Sequence, residues 1–333
     1  WQQIGNDIDG EAKYDFSGES ISLSADGSIV AIGAYANDGN GSSSGHVRVY
    51  KNNNGSWQQI GSDIDGEAKS DNSGETVSLS ADGSTVAIAA PSNDGNGSSS
   101  GHVRIYKNNN GSWQQIGNDI DGEAANDYLG QSVGLSADGS IVAIGAPYND
   151  GNGRNSGHVR IYKNNNGSWQ QIGSDIKGEA KDDFFGEQIQ ISDDGSTIAV
   201  GAPNGNSHKG YLAVYRNINN TWTELMKMEG EVSNQMGGGS IAKYFSLSAD
   251  GLTLATGTIE DSNYKGKVQV FNLPDHYDPT LLSSSPADNA KNYTVGSDGI
   301  VLNFSEAVDV ETGNILIKKT SDDSTVETID VTS

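Results

Sequence analysis

The chain has 333 residues, of which 44 are acidic and 20 basic, giving a formal net charge of −24 at pH 7. A polyanion of this kind is repelled by nucleic acid and by anionic membrane surfaces, so neither is an expected partner. The absence of cysteine excludes disulfides, thiolate zinc sites and thiol nucleophiles, and no apolar run approaches the roughly 18 residues of a membrane span.

The first five residues, Trp1-Gln2-Gln3-Ile4-Gly5, lack the features of a signal peptide, so a mature chain or a fragment is expected. They also open a repeat. WQQIG recurs at Trp57, Trp113 and Trp169, and Trp222 begins the degenerate form WTELM, so the spacings are 56, 56, 56 and 53. Residues 57–112 and 113–168 are identical at 43 of 56 positions, which overrides the disorder that low hydrophobicity and high charge would otherwise suggest. A period of this size belongs to a solenoid, a propeller or an array, in which each unit buries its faces against its neighbours.

Within a unit the pattern predicts four strands and no helix. In the second unit they cover residues 75–80, 84–90, 102–107 and 113–117. The first alternates, with Val77 and Leu79 on one face and serines on the other. The second is almost wholly apolar, as in a strand covered on both sides. In the third, Val103 and Ile105 oppose His102, Arg104 and Tyr106. Ala81-Asp82-Gly83-Ser84 and Asn109-Asn110-Gly111 supply tight turns. Four antiparallel strands per repeat make a propeller blade.

The first strand pair and the third strand each occur five times, the last third strand ending near Phe271. No W strand follows it, because the chain turns to Asn272-Leu273-Pro274-Asp275. The surplus strand at residues 1–5 is therefore expected to pair with the last blade and close a five-bladed ring, removing both open edges. The competing reading is a larger ring with further repeats before residue 1.

Phe185-Gly186, Gly201-Ala202-Pro203 and the Gly-Tyr-Leu-Ala-Val-Tyr run at 210–215 resemble the FG-GAP repeat of integrin-alpha-type propellers. The GAP element recurs at Gly145-Ala146-Pro147 and as Ala89-Ala90-Pro91, and the FG element survives in part at Phe16-Ser17-Gly18, Asn72-Ser73-Gly74 and Ile241-Ala242. The resemblance covers residues 1–273 and implies a ring that displays loops for recognition, commonly in extracellular adhesion proteins. The family's metal-binding repeats carry an Asp-rich loop between the first two strands. Here that connection is only Ala25-Asp26-Gly27-Ser28 and its copies, too few ligands for the six to eight oxygens calcium takes, so those calcium sites do not carry over.

Residues 278–333 read as short alternating strands, and SSSPADNA followed by IVLNFSEAV resembles the opening of bacterial Ig-like domains. Such a sandwich needs about 100 residues, so a partial Ig-like domain is expected and the native polypeptide is expected to continue past Ser333. The whole is read as all-β.

Candidate chemistry lies in the acidic segment after each W strand. It contains Asp7, Asp9 and Glu11, then Asp63, Asp65 and Glu67, then Asp119, Asp121 and Glu123, each set within five residues around a glycine. Alternate carboxylates around a turn can converge on a hard cation, and calcium is the implied cofactor. The plain alternative is solvated acidic surface. Lys177 replaces the second Asp in the fourth copy, so a site there should be lost. The long loops at 37–45, 93–101 and 149–157 are expected on the same rim. His46, His102 and His158, beside Arg48, Arg104 and Arg160, recur at one repeat position, and packing between blades is the plain reading of them. No Ser/His/Asp set or H-E-x-x-H is present, so an enzyme is not expected. The leading expectation is a recognition, adhesion or spacer module of a large extracellular or cell-surface protein, binding a glycan or protein ligand. A structural subunit contacting neighbouring copies in a filament or layer, and a carboxylate-based carbohydrate-active hydrolase, are the alternatives.

Overall fold

The computed structural model describes residues 1–231, 240–258 and 265–274, together with the strand backbones of residues 281–285, 301–304, 314–318 and 325–330. The chain divides into two compact units, Trp1–Pro274 and Asp275–Ser333.

The first unit turns its repeats into successive antiparallel sheets. The first blade contains β1 (Ser20–Leu23), β2 (Ile29–Ala34), β3 (His46–Asn53), β4 (Ser56–Gln59) and β5 (Ile64–Asp65). The second contains β6 (Thr76–Leu79), β7 (Thr85–Ala90), β8 (His102–Asn109), β9 (Ser112–Gln115) and β10 (Ile120–Asp121). The third contains β11 (Ser132–Leu135), β12 (Ile141–Ala146), β13 (His158–Asn165), β14 (Ser168–Gln171) and β15 (Ile176–Lys177). The fourth has β16 (Gln188–Ile191), β17 (Thr197–Ala202), β18 (Tyr211–Ile218) and β19 (Thr221–Glu229), and the fifth has β20 (Phe245–Leu247), β21 (Thr253–Thr258) and β22 (Lys267–Asn272). The longer strands of each blade pair in chain order as a meander, and the short β5, β10 and β15 pair with the third strand of their own blade. In the second blade Thr76 faces Ala89, Ala90 faces His102 and Tyr106 faces Gln115. This is an all-β fold of propeller type.

Tight turns and small residues let the blades stack. Asp82 accepts from the Ser84 amide and the Ser80 hydroxyl at 2.8 and 2.7 Å, which shapes the first hairpin. The equivalent hairpins are strung together by backbone bonds, from Ala25 N–H to the Ala81 carbonyl, Ala81 to Ala137, Ala137 to Asp193 and Asp193 to Ala249. The serines of the first strands bind the neighbouring blade. Ser20 and Ser22 of one first strand accept the amides of Val77 and Leu79 in the next, both at 2.9 Å. These bonds satisfy N–H groups that a sheet edge would leave open.

The FG and GAP elements meet across each boundary. A Cβ placed on Gly145 would lie 2.1 Å from the carbonyl oxygen of Gly186, so the second glycine is approached by the backbone of the first. Phe185, fully buried, stacks against Tyr211 at 6.0 Å. The apolar core is correspondingly divided into seams between adjacent blades. Val47 and Val49 meet Val77, Leu79 and Tyr106 in one seam, and Val103 and Ile105 meet Leu135 and Ile144 in the next.

The expected closure by residues 1–5 is not formed. Among the described residues that segment has no strand partner, and Trp1 is fully exposed. It lies instead along the first blade, where the Ile4 carbonyl accepts the Trp57 indole N–H at 2.9 Å. The same bond joins Trp113 to Ile60, Trp169 to Ile116 and Trp222 to Ile172. Residues 1–5 therefore occupy the place of a preceding outer strand, but β22 does not come alongside them. Ile21 and Leu23 are 67% and 57% exposed, whereas their equivalents Val77 and Leu79 are buried. At the other end Val268 and Val270 are 76% and 64% exposed, although the equivalent Val47 and Val49 are fully covered. After β22 the chain packs Leu273 into the core beside Leu212 and Leu254.

In the second unit Leu281–Ser285 pairs with Val301–Phe304, and Asn314–Lys318 pairs with Thr325–Asp330, both antiparallel. The remainder of the expected Ig-like segment lies outside the described residues.

Candidate functional site

The acidic segments are not free loops. β4 pairs with the far half of β3, and the Ile60 amide donates to the Val49 carbonyl at 2.7 Å. The outer strand then resumes as β5, with Ile64 opposite Val47 and Asp65 opposite His46. Gly61, Ser62 and Asp63 thus stand against the single residue Arg48, and this bulge turns Asp63 back over the sheet. Beyond Asp65 the chain crosses to the next blade. Gly66 donates to the Gly45 carbonyl at 2.8 Å, and a Cβ on it would lie 2.0 Å from the Ser44 carbonyl oxygen.

This path separates the carboxylates that the sequence placed together. Asp63 reaches His46 of its own blade, with Oδ2 3.8 Å from Nδ1. Glu67 reaches His102 of the following blade, with Oε2 3.8 Å from Nδ1. Asp65 offers its backbone carbonyl to Arg104 at 2.8 Å. Asp119 and Glu123 divide in the same way, and the Asp121 carbonyl accepts from Arg160 at 3.5 Å. In the first copy Asp7 binds Gln3, the Asp9 carbonyl accepts from Arg48, and Glu11 lies against His46.

What converges is one residue from each of three places, repeated at three seams: Glu11, His46 and Asp63; Glu67, His102 and Asp119; Glu123, His158 and Asp175. Such acidic and imidazole groups are able to hold a metal ion. In the second seam Nδ1 of His102 lies 3.6 Å from Asp119 Oδ2, while Gln115 donates to Oδ1 of the same carboxylate at 2.6 Å. Arg104 Nη1 lies 3.4 Å from Glu67 Oε1, leaving Oε2 toward the imidazole. The third seam differs. Arg160 grips Glu123 and also lies 3.4 Å from Asp175, and Lys177 Nζ stands 3.9 Å from Asp175 Oδ2.

Burial, reinforced by the Arg104 charge, pushes the His102 pKa down to about 4, and burial with Arg160 does the same for His158. Both imidazoles are neutral at pH 7, so their carboxylate contacts are not ion pairs. Burial raises the carboxyl of Glu67. Burial also acts to raise Asp175, but the Gln171 hydrogen bond and the Arg160 and Lys177 charges bring it below its usual value.

Where each of the first three acidic segments meets the outer strand of the blade that follows it lies a crevice, three equivalent ones in all. One is formed by residues 61–65 with Tyr106 and Trp113 and has a volume of 480 Å³. The others, about Tyr50 and Trp57 and about Tyr162 and Trp169, measure 380 and 360 Å³. Each carries two aspartates of an acidic segment, an indole and a phenol. The long loops close against the same segments, with the Asn40 side chain donating to the Gly66 carbonyl at 2.8 Å and Asn96 to Gly122 at 2.9 Å.

The grouping of Glu, His and Asp was missed in the sequence, yet a signal existed. Each Glu precedes its His by 35 positions, and each Asp follows it by 17, in all three copies.

A family model described as the FG-GAP repeat matches residues 120–162, from β10 through most of β13. No curated protein matches the chain. Among solved structures, the periplasmic gluconolactonase PpgL of Pseudomonas aeruginosa aligns at 14% identity over 94% of this chain and 85% of that one, with a TM-score of 0.50. This supports the propeller fold. The likeness is one of fold. Hydrazine synthase of Kuenenia stuttgartiensis aligns at 13% identity over 84% and 74%, TM-score 0.48, and a putative TolB of Agrobacterium tumefaciens at 12% over 76% of each chain, TM-score 0.44.

Proposed function

We propose that the chain is a non-enzymatic recognition module of an extracellular or cell-surface protein, and that its ligand is a glycan. The observation carrying this reading is the threefold recurrence of one crevice at one register. Each copy sets an indole and a phenol beside paired carboxylates. Aromatic faces suit the apolar C–H surface of a sugar ring, and carboxylates accept from its hydroxyl groups. Individually weak sites repeated on a rigid scaffold gain avidity on a repeating polymer. A two-carboxylate hydrolytic centre, in contrast, needs its two groups driven to different protonation states, and near-identical copies do not favour that division of labour. The FG-GAP match and the paired strands of the second unit agree with a surface protein in which an Ig-like domain follows the propeller.

The test is retention of the intact chain on immobilised polysaccharides, compared with a triple variant Asp9→Asn, Asp65→Asn, Asp121→Asn. Retention that falls at least tenfold in the variant is the expected result. Failure to bind any glycan, or binding indifferent to the three changes, defeats the reading. Cleavage of a retained glycan, abolished by a single carboxylate change, replaces it with the hydrolase.

A further inference from the structure

We propose that the first two seams each bind a divalent transition-metal ion, of which zinc is the model, through Nδ1 of His46 with Glu11 and Asp63 and through Nδ1 of His102 with Glu67 and Asp119. The ion would tie the acidic segment of one blade to the third strand of the next.

The spacing carries the argument. In these two seams Nδ1 lies 3.6–3.9 Å from the facing carboxylate oxygens. Those separations are too long for hydrogen bonds. They match the roughly 3.0–4.2 Å that separates ligand atoms when each sits about 2.1 Å from a shared ion. All three ligand atoms of each group lie within 4.8 Å of one another.

The surroundings orient these atoms. Each carboxylate has one oxygen engaged elsewhere and the other turned to the imidazole. Gln59 and Gln115 donate to Oδ1 of Asp63 and Asp119, both at 2.6 Å. Arg48 and Arg104 approach Oε1 of Glu11 and Glu67 at 3.7 and 3.4 Å. Supporting contacts of this kind are what aim metal ligands. His46 and His102 are 2% and 1% exposed, and Nδ1 of each faces its two carboxylates.

One nitrogen and two carboxylate oxygens suit zinc, manganese or cobalt better than calcium, which takes six to eight oxygens. Two carboxylates in each group offset the guanidinium beside it. The third seam is assigned no ion, because Arg160 takes both carboxylates and Lys177 adds a second cation at Asp175.

The experiment uses the full chain, stripped with chelator and titrated calorimetrically with zinc chloride alone, with calcium chloride in a parallel arm. Two zinc equivalents are expected, together with a rise in the melting temperature and at least tenfold weaker binding of calcium. His46→Gln combined with His102→Gln should remove both equivalents. Lys177→Asp, an exposed change that leaves the first two seams intact, should raise zinc affinity at the third. Absence of saturable zinc binding, retention of both equivalents in the double variant, or calcium binding as tight as zinc overturns the proposal. A Lys177→Asp chain that binds zinc no better at the third seam overturns the assignment there. Glycan retention by the metal-free chain is read separately, so failure of one proposal leaves the other measurable.

Discussion

Glu67 leaves the outer strand of one blade, and its Oε2 lies 3.8 Å from Nδ1 of His102 in the next. That contact joins two repeats through residues 35 positions apart, and it places a neutral imidazole against a carboxyl in a buried seam.

The titration of that seam makes acid destabilising in metal-free protein. His102 and His158 have folded-state pKa values of about 4, below the ordinary 6.5. As pH falls from 6.5 toward 4, the unfolded chain takes up protons that the native histidines refuse, so stability declines across that window. The upper bound is about 3 kcal/mol for each histidine, from the size of the depression. The raised carboxyl of Glu67 opposes this in part. Melts in chelator at pH 7 and pH 4.5 should show the loss, and His102→Asn with His158→Asn should flatten the slope.

The two ends of the blade series predict unequal effects at equivalent positions. Leu79 is buried against the preceding blade, so Leu79→Ala should cost about 2–5 kcal/mol. Leu23, at the same repeat position, is 57% exposed, and Leu23→Ala should stay within about 0.5 kcal/mol. Equal losses in chemical denaturation would mean that the leading face of the first blade is covered in solution.

Removal of residues 1–6 bears on the same face. The segment contributes the Ile4 carbonyl bond to Trp57 and the packing of Gly5 on that indole, both near solvent. The expected cost is about 1 kcal/mol, a shift of about 1–2 °C in Tm for a chain of this size. A loss several times larger would indicate a strand ladder between these residues and β22.

The glycine of the acidic segment is required by crowding. A Cβ on Gly122 would stand 2.0 Å from the Ser100 carbonyl oxygen, whereas on Gly10 its nearest neighbour is the Ser17 Cβ at 3.1 Å. Gly122→Ala should therefore destabilise by about 1–3 kcal/mol or more, and Gly10→Ala by much less. Thermal melts of the two variants provide the comparison.

Strand content, order and turns were legible before any coordinates. The alternation at 75–80 became β6, the apolar run at 84–90 became β7, and the residues from His102 onward became β8. The repeated histidine lies buried where two blades meet, because a side chain recurring every 56 residues on a strand face meets the same neighbour each time. The candidate site was legible only in its parts. Asp63, Asp65 and Glu67 look like one ligand set on the page, but the bulge at Gly61-Ser62-Asp63 and the crossing at Gly66 send Asp63 and Glu67 into different seams. The Trp57 bond to Ile4 likewise has no signature in either segment alone.

The sequence by itself determined the repeat, its strands and the tight turns between them, because hydrophobic alternation and glycine chemistry act over a few residues. Tertiary structure decided which carboxylate meets which histidine, where residues 1–5 lie and which valines are left facing solvent. Those outcomes depend on how one blade stacks on the next, through contacts between residues tens of positions apart that no local pattern encodes.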